Sequence, residues 1–125
     1  MIHAHPLVGV GVNTFILNYN RYKTADNPFA PAYAHNHYLH LTAEIGFLGL
    51  VAFIWLLAST IIVCRRALRH ADPGMTALAA GIGCSLVAFL ITGLLESSLF
   101  YSYTNIGFWI GVGLLQGLGS LARSS

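Results

Sequence analysis

Residues 46–64 read GFLGLVAFIWLLASTIIVC, an uncharged and almost wholly apolar run. As an α-helix, a run of this length crosses the roughly 30 Å hydrocarbon core of a bilayer. Moving towards the C-terminus, Arg65-Arg66-Ala67-Leu68-Arg69-His70 is expected to stop that helix, and Asp72-Pro73-Gly74 to turn the chain. Met75 to Leu95 forms a second uncharged run ended by Glu96, and Asn105 to Gly119 a third, starting near Phe100 and followed by Arg123. Gly107, Gly111, Gly113 and Gly117 in the third run include small-xxx-small spacings that suit close helix packing. All three spans read as uninterrupted.

Towards the N-terminus the helix is expected to begin before residue 46, with Asn36 as its N-cap. Residues 1–38 are mixed in character, with Pro6, Pro28, Pro31, Gly9 and Gly11. Val8 to Leu17 is apolar but too short to cross a bilayer, so it reads as interfacial or re-entrant. Arg21, Lys23 and Asp26 mark water, and Asp26-Asn27-Pro28 reads as a turn. The fold class is therefore all-α integral membrane: a loop segment over 1–38 outside the membrane, then a membrane domain over 39–125 with about three spans (39–64, 75–95 and 100–119).

Composition excludes the alternatives. Of the 125 residues, 8% are charged and 56% hydrophobic, with a mean hydropathy of +0.68. An ordinary soluble domain carries about 25% charged residues, so this chain cannot solvate a normal surface. The net charge of +2 lies in clusters, and no basic stripe interleaved with aromatics suggests nucleic acid. The start, Met1-Ile2-His3-Ala4-His5-Pro6, lacks the features of a signal peptide. Cys64 and Cys84 read as small buried hydrophobes, one near a helix end and one near a helix centre. That placement sets them about 15 Å apart in depth, too far for a disulfide. Arg65, Arg66 and Arg69 between the first two spans, with Arg123 after the third, belong on the cytoplasmic face. Residues 1–38 and 96–104 then lie on the exterior face.

The densest polar cluster is Ala34-His35-Asn36-His37-Tyr38-Leu39-His40-Leu41-Thr42-Ala43-Glu44. At 100° per residue, His37, His40 and Glu44 share an arc of about 60° on one helix face. Imidazoles and a carboxylate at a membrane surface are suited to general acid–base chemistry on a lipid-linked substrate; the same residues equally suit an interfacial belt. The spacing of His35, His37 and His40 matches no metal-binding pattern, and no metal or other cofactor is expected. Glu44, an ionisable group just inside a span, is a functional candidate. Glu96 emerges on the same face and either completes the site or marks a helix end. Gly9-Val10-Gly11-Val12-Asn13-Thr14 lacks the third glycine and the βαβ unit of a nucleotide loop. It reads instead as a tight turn bringing backbone close to the membrane or to a neighbouring segment.

These residues, in this order, resemble the C-terminal part of the O-antigen ligase / O-antigen polymerase family of bacterial membrane glycan transferases. His5-Pro6-Leu7-Val8-Gly9-Val10-Gly11 with Phe15 resembles the family's Pro-x-x-Gly-x-Gly segment at its large periplasmic loop. His35-Asn36, residues 37–45, Gly46, Phe47-Leu48 and Gly49 resemble the ligase signature, and Glu44-Ile45-Gly46-Phe47-Leu48-Gly49 the family's Glu-x-Gly-x-x-Gly helix start.

The resemblance implies transfer of a glycan from an undecaprenyl-pyrophosphate carrier to an acceptor. The acceptor would be a lipid A-core sugar in a ligase, a growing chain in a polymerase, or a protein hydroxyl in related enzymes. It implies no metal, and a location in the bacterial inner membrane as a multi-pass protein whose His-rich loop faces the periplasm. The family's loop histidine falls on His35, the catalytic candidate, with Asn36, His37, Arg21 and Glu44 as substrate-binding candidates. Arg21 is the one loop arginine present; the family's pyrophosphate-binding arginines lie upstream of His5-Pro6. Family members have about ten spans or more, so the expectation is a fragment whose partners include upstream transmembrane helices and which is inactive in isolation. A different class of reading is a transporter with Glu44 and Glu96 as coupling carboxylates, although transporter sites sit near the midplane on broken helices.

Overall fold

A computed structural model describes residues 1–23, 26, 33–70 and 72–124. Asn27, Pro28, Pro31 and the Arg123 side chain lie outside the described residues. The order is a short helix α1 (Phe15–Tyr22), a long helix α2 (His37–His70), α3 (Pro73–Thr92), a 3-10 turn (Ser98–Phe100) and α4 (Ser102–Ser124). No strand occurs among the described residues.

The helix starts follow from local chemistry. The Asn36 side-chain oxygen accepts the Leu39 N–H at 2.9 Å, as expected of an N-cap for α2. Asp72 accepts the N–H groups of Gly74 and Met75 at 2.9 and 3.3 Å, with Pro73 in the first helical position, so α3 starts one residue after its cap. The arginines do not end α2, which continues to His70. Cys64 therefore sits inside the helix instead of at its end, and its thiol approaches the Ala79 carbonyl of α3 at 3.6 Å. Cys64 and Cys84 line the same apolar groove between α2 and α3. The expected 15 Å offset between them is thus too large; both are free thiols.

α2, α3 and α4 pack around Phe53, Ala67, Ala79, Leu86, Leu99, Phe108, Val112 and Leu115. Of the α4 glycines noted above, Gly111 meets Leu86 and Ile82 of α3 at ordinary contact distance, while Gly107, Gly113 and Gly117 face open space. The close approach falls instead at Gly119, where a Cβ would overlap Val63 of α2.

Among the described residues, two helices are long and apolar enough to cross a membrane, His37–Arg69 and Pro73–Thr92, with mean hydropathies of 2.6 and 2.0. Only 17% and 6% of those windows is buried inside the structure. A core helix of a soluble protein would be covered, whereas here Val51, Ile54, Trp55, Ile61, Val87 and Ile91 stand exposed. Lipid is the solvent such a surface fits. α4, with Asn105, Gln116 and its glycines, is not among the two.

The main departure from the sequence reading is in α2. Gly46 has φ 68° and ψ −174°, so the helix breaks there. In an unbroken helix the N–H groups of Phe47 and Leu48 would bond the carbonyls of Ala43 and Glu44. Residues 6–11 occupy the break instead. Phe47 N–H donates to the Pro6 carbonyl (2.8 Å) and Leu48 N–H to that of Leu7 (3.2 Å). The freed carbonyls of Ala43 and Glu44 accept from Val10 (2.9 Å) and Gly11 (2.9 Å). All four orphaned groups are thus satisfied, as burial demands. The approach is so close that a Cβ on Gly9 would overlap the Glu44 carbonyl, and one on Gly46 the Leu7 carbonyl.

Candidate functional site

The residues singled out in the sequence gather where α2 begins, α3 ends and α4 begins. Backbone and side-chain bonds fasten these three ends together. His37 N–H donates to the Gly93 carbonyl at 2.7 Å, the Asn36 amide to Leu94 at 3.0 Å, and the Tyr38 hydroxyl to Leu90 at 2.9 Å. On the far side, Asn105 donates to the Leu99 carbonyl at 2.9 Å, and the Thr104 hydroxyl donates to the Ser98 carbonyl.

Three histidines lie within six positions of one another, and the structure gives each a different environment. His35 precedes the Asn36 cap with φ +48°, a left-handed conformation uncommon outside glycine but one that histidine adopts more readily than most residues. Its side chain is 63% exposed, with Nδ1 3.5 Å from a carboxylate oxygen of Glu96, whose side chain is 49% exposed.

His37 is 1% exposed. Its Nδ1 accepts the Leu99 N–H at 3.3 Å, so the ring proton is on Nε2, which has no partner among the described residues. The rings of Tyr38, Phe53, Phe89 and Phe100 lie around it, with centroids 5.7 to 6.1 Å away. His40 is equally buried. It stacks on Phe100 at 3.7 Å, meets Phe15 at 4.4 Å and presents Nε2 to Glu44 at 3.4 Å, the i, i+4 pairing that the helical spacing anticipates. Its Nδ1 lies 3.4 Å from both the Ala34 N–H and the Ser97 hydroxyl.

Glu44 is 2% exposed. One oxygen accepts the Asn13 N–H at 2.8 Å and the other the Phe15 N–H at 2.9 Å. Those donors lie at the start of α1, where unsatisfied N–H groups attract an anion. Thr14, which precedes α1, makes no side-chain cap bond to that helix, so Glu44 serves that end from α2. Asn13 itself has φ +57°. A cavity of about 400 Å³ beside this junction is lined by Asn13, Glu44, Phe100, Asn105 and Trp109 among others.

Of the candidates, Asn36 acts as cap and cross-link, His37 and Glu44 are buried, and Arg21 lies exposed in the last turn of α1. Among the described residues no three His, Cys, Asp or Glu groups are arranged to hold a metal ion. The structure adds Glu96, which it places against His35, and Ser97 and Phe100, which it packs against His40. For Glu96 the position at the exterior end of the second span was the signal; Ser97 and Phe100 gave none, because contacts across some 60 residues leave no periodic trace.

A helical bundle with two lipid-facing helices and a histidine–carboxylate cluster at one end fits a membrane protein. Residues 1–54, which carry His35, Asn36, His37, His40 and Glu44, are similar to the family described as O-antigen ligase. That similarity points to membrane glycan transfer as a class of function. Comparison with curated proteins and with solved structures gives no match.

Proposed function

We propose that this chain supplies the catalytic loop of a glycan transferase that moves a glycan from an undecaprenyl-pyrophosphate carrier to a sugar hydroxyl, with His35 as general base. One observation carries the assignment. Of the three clustered histidines, His35 alone is exposed, while His37 and His40 are each 1% exposed and engaged in packing.

The chemistry asks little else of the protein. A pyrophosphate is an activated leaving group, so catalysis consists of holding two partners in line, neutralising developing charge and removing one proton. Asn36, fixed by Leu39 and Leu94, holds the loop that carries His35. The exposed Tyr103, next to this end of the bundle, is available to stack on a sugar face. The acceptor is a lipid A-core sugar in the ligase form of the reaction and a growing glycan in the polymerase form; each presents a sugar hydroxyl to His35. The basic cluster of Arg65, Arg66 and Arg69 lies at the other end of α2, which by the positive-inside rule supports a His35 end on the periplasmic face of the inner membrane.

The test is His35→Ala in the protein expressed from its own locus, assayed for glycan transfer in membranes. Transfer is expected to fall by about 10²- to 10⁴-fold, the usual contribution of a general base, with the amount of membrane-inserted protein unchanged. Normal transfer would remove His35 from the mechanism.

A further inference from the structure

We propose that Glu96 is a positioning residue for His35: its carboxylate accepts a hydrogen bond from Nδ1–H and leaves Nε2 as the lone pair that receives the acceptor proton. The inference rests on the general-base reading of His35 and adds the group that orients it.

The two side chains meet because their backbones are fastened. His37 N–H to Gly93 and the Asn36 amide to Leu94 bind the start of α2 to the turn that follows α3. The Glu96 N–H is itself bonded to the Thr92 carbonyl at 2.9 Å, which sets the carboxylate at the end of that turn. On the other side, His35 is held in its left-handed conformation directly before the cap. Glu44, the other carboxylate of this region, is already occupied by Asn13, Phe15 and His40. Glu96 is thus the carboxylate that the fold brings to His35. Their 3.5 Å separation is that of a close pair, longer than a hydrogen bond, and catalytic hydrogen bonds that are long in the free enzyme tighten when substrate binds.

The consequence is a choice of tautomer. The proton of a neutral imidazole goes to the nitrogen whose partner accepts it. A carboxylate at Nδ1 therefore leaves Nε2 unprotonated. In the transfer step Nε2 takes the proton of the acceptor hydroxyl as that oxygen bonds to C1 of the donor sugar. The bond from C1 to the pyrophosphate oxygen breaks, and its electron pair leaves with the pyrophosphate. The imidazolium formed is stabilised by Glu96 and then releases its proton to water.

Histidine ¹⁵N spectra of the chain in lipid nanodiscs, recorded about two pH units above the ordinary imidazole pKa of ~6.5, read the tautomer directly. The His35 signals are assigned by their loss in His35→Ala. The expected result is an Nδ1–H tautomer for His35 in the unsubstituted protein and a return to Nε2–H in Glu96→Ala. His37, whose proton is on Nε2 by the geometry above, reports in the same spectrum that the variant is folded. An Nε2–H tautomer for His35 in the unsubstituted protein overturns the proposal, as does an unchanged Nδ1–H tautomer in Glu96→Ala. Neither readout depends on transfer, so a failed Glu96 assignment and a failed base role for His35 give different results.

Discussion

Glu44 and His35 are both ionisable residues near the same helix start, and their surroundings divide their roles. Glu44 has two N–H donors and an imidazole on its carboxylate and almost no solvent. A buried charge held this way is costly to strand once its partners are fixed. Replacing Glu44 by Ala leaves the N–H groups of Asn13 and Phe15 buried without an acceptor. The expected loss is about 3–5 kcal/mol, typical of breaking a buried charged set by removing one member; a thermal or denaturant midpoint in detergent measures it. Glu44→Gln, which keeps one acceptor oxygen, is expected to lose less. A Glu44→Ala protein that unfolds at the unsubstituted midpoint would end the anchoring role. The same contacts bear on the transporter reading, because both oxygens of Glu44 are engaged by backbone N–H groups from the segment before α1 and its first turn.

The sequence shows parts of this and hides others for physical reasons. The cap at Asn36 and the shared face of His40 and Glu44 are local, set by the helical period, and both appear in the structure. The donors on Glu44 come from 29 and 31 residues away, and Glu96 reaches His35 across 61, so no window along the chain contains either pair.

At the scale of elements, the break in α2 explains two glycine-bearing motifs at once. Pro6 to Gly11 and Ala43 to Leu48 interlock, each supplying the groups the other lacks. An isolated glycine in an apolar run is compatible with a continuous helix, which is why residues 46–64 read as uninterrupted. Only the segment far upstream shows that Gly46 is the break. Gly46→Ala meets both a left-handed φ and the Leu7 carbonyl. The variant is expected to straighten α2 and release residues 6–11. Hydrogen exchange at Val10 and Gly11, whose N–H groups are bonded across the break, is then expected to accelerate at least tenfold, about 1.4 kcal/mol of lost protection. Unchanged exchange would mean that the interlock does not depend on that glycine. Cys64 and Cys84 carry a similar lesson: their depth depends on where α2 stops, and charge alone places that stop too early.

For the whole molecule, composition already identifies lipid as the solvent, and the exposed apolar faces of α2 and α3 agree. The number of spans is less legible, because α4 mixes apolar residues with glycine and amides and its membrane character depends on neighbours. The bundle places His35, Glu96 and Tyr103 at one end and the arginines at the other. In a Cys64→Ala, Cys84→Ala background, Tyr103→Cys is expected to react with a membrane-impermeant maleimide added outside intact spheroplasts, and Arg66→Cys only after lysis. Labelling of both from the same side would refute the arrangement.

The central claim is that one histidine of the three performs the chemistry while the other two hold the fold. It is tested most directly on His35→Ala reconstituted in lipid, with the unfolding midpoint and the glycan transfer rate read on the same preparation. The account predicts an unchanged midpoint with transfer reduced by about 10²- to 10⁴-fold. A lowered midpoint, or transfer at the unsubstituted rate, would contradict it.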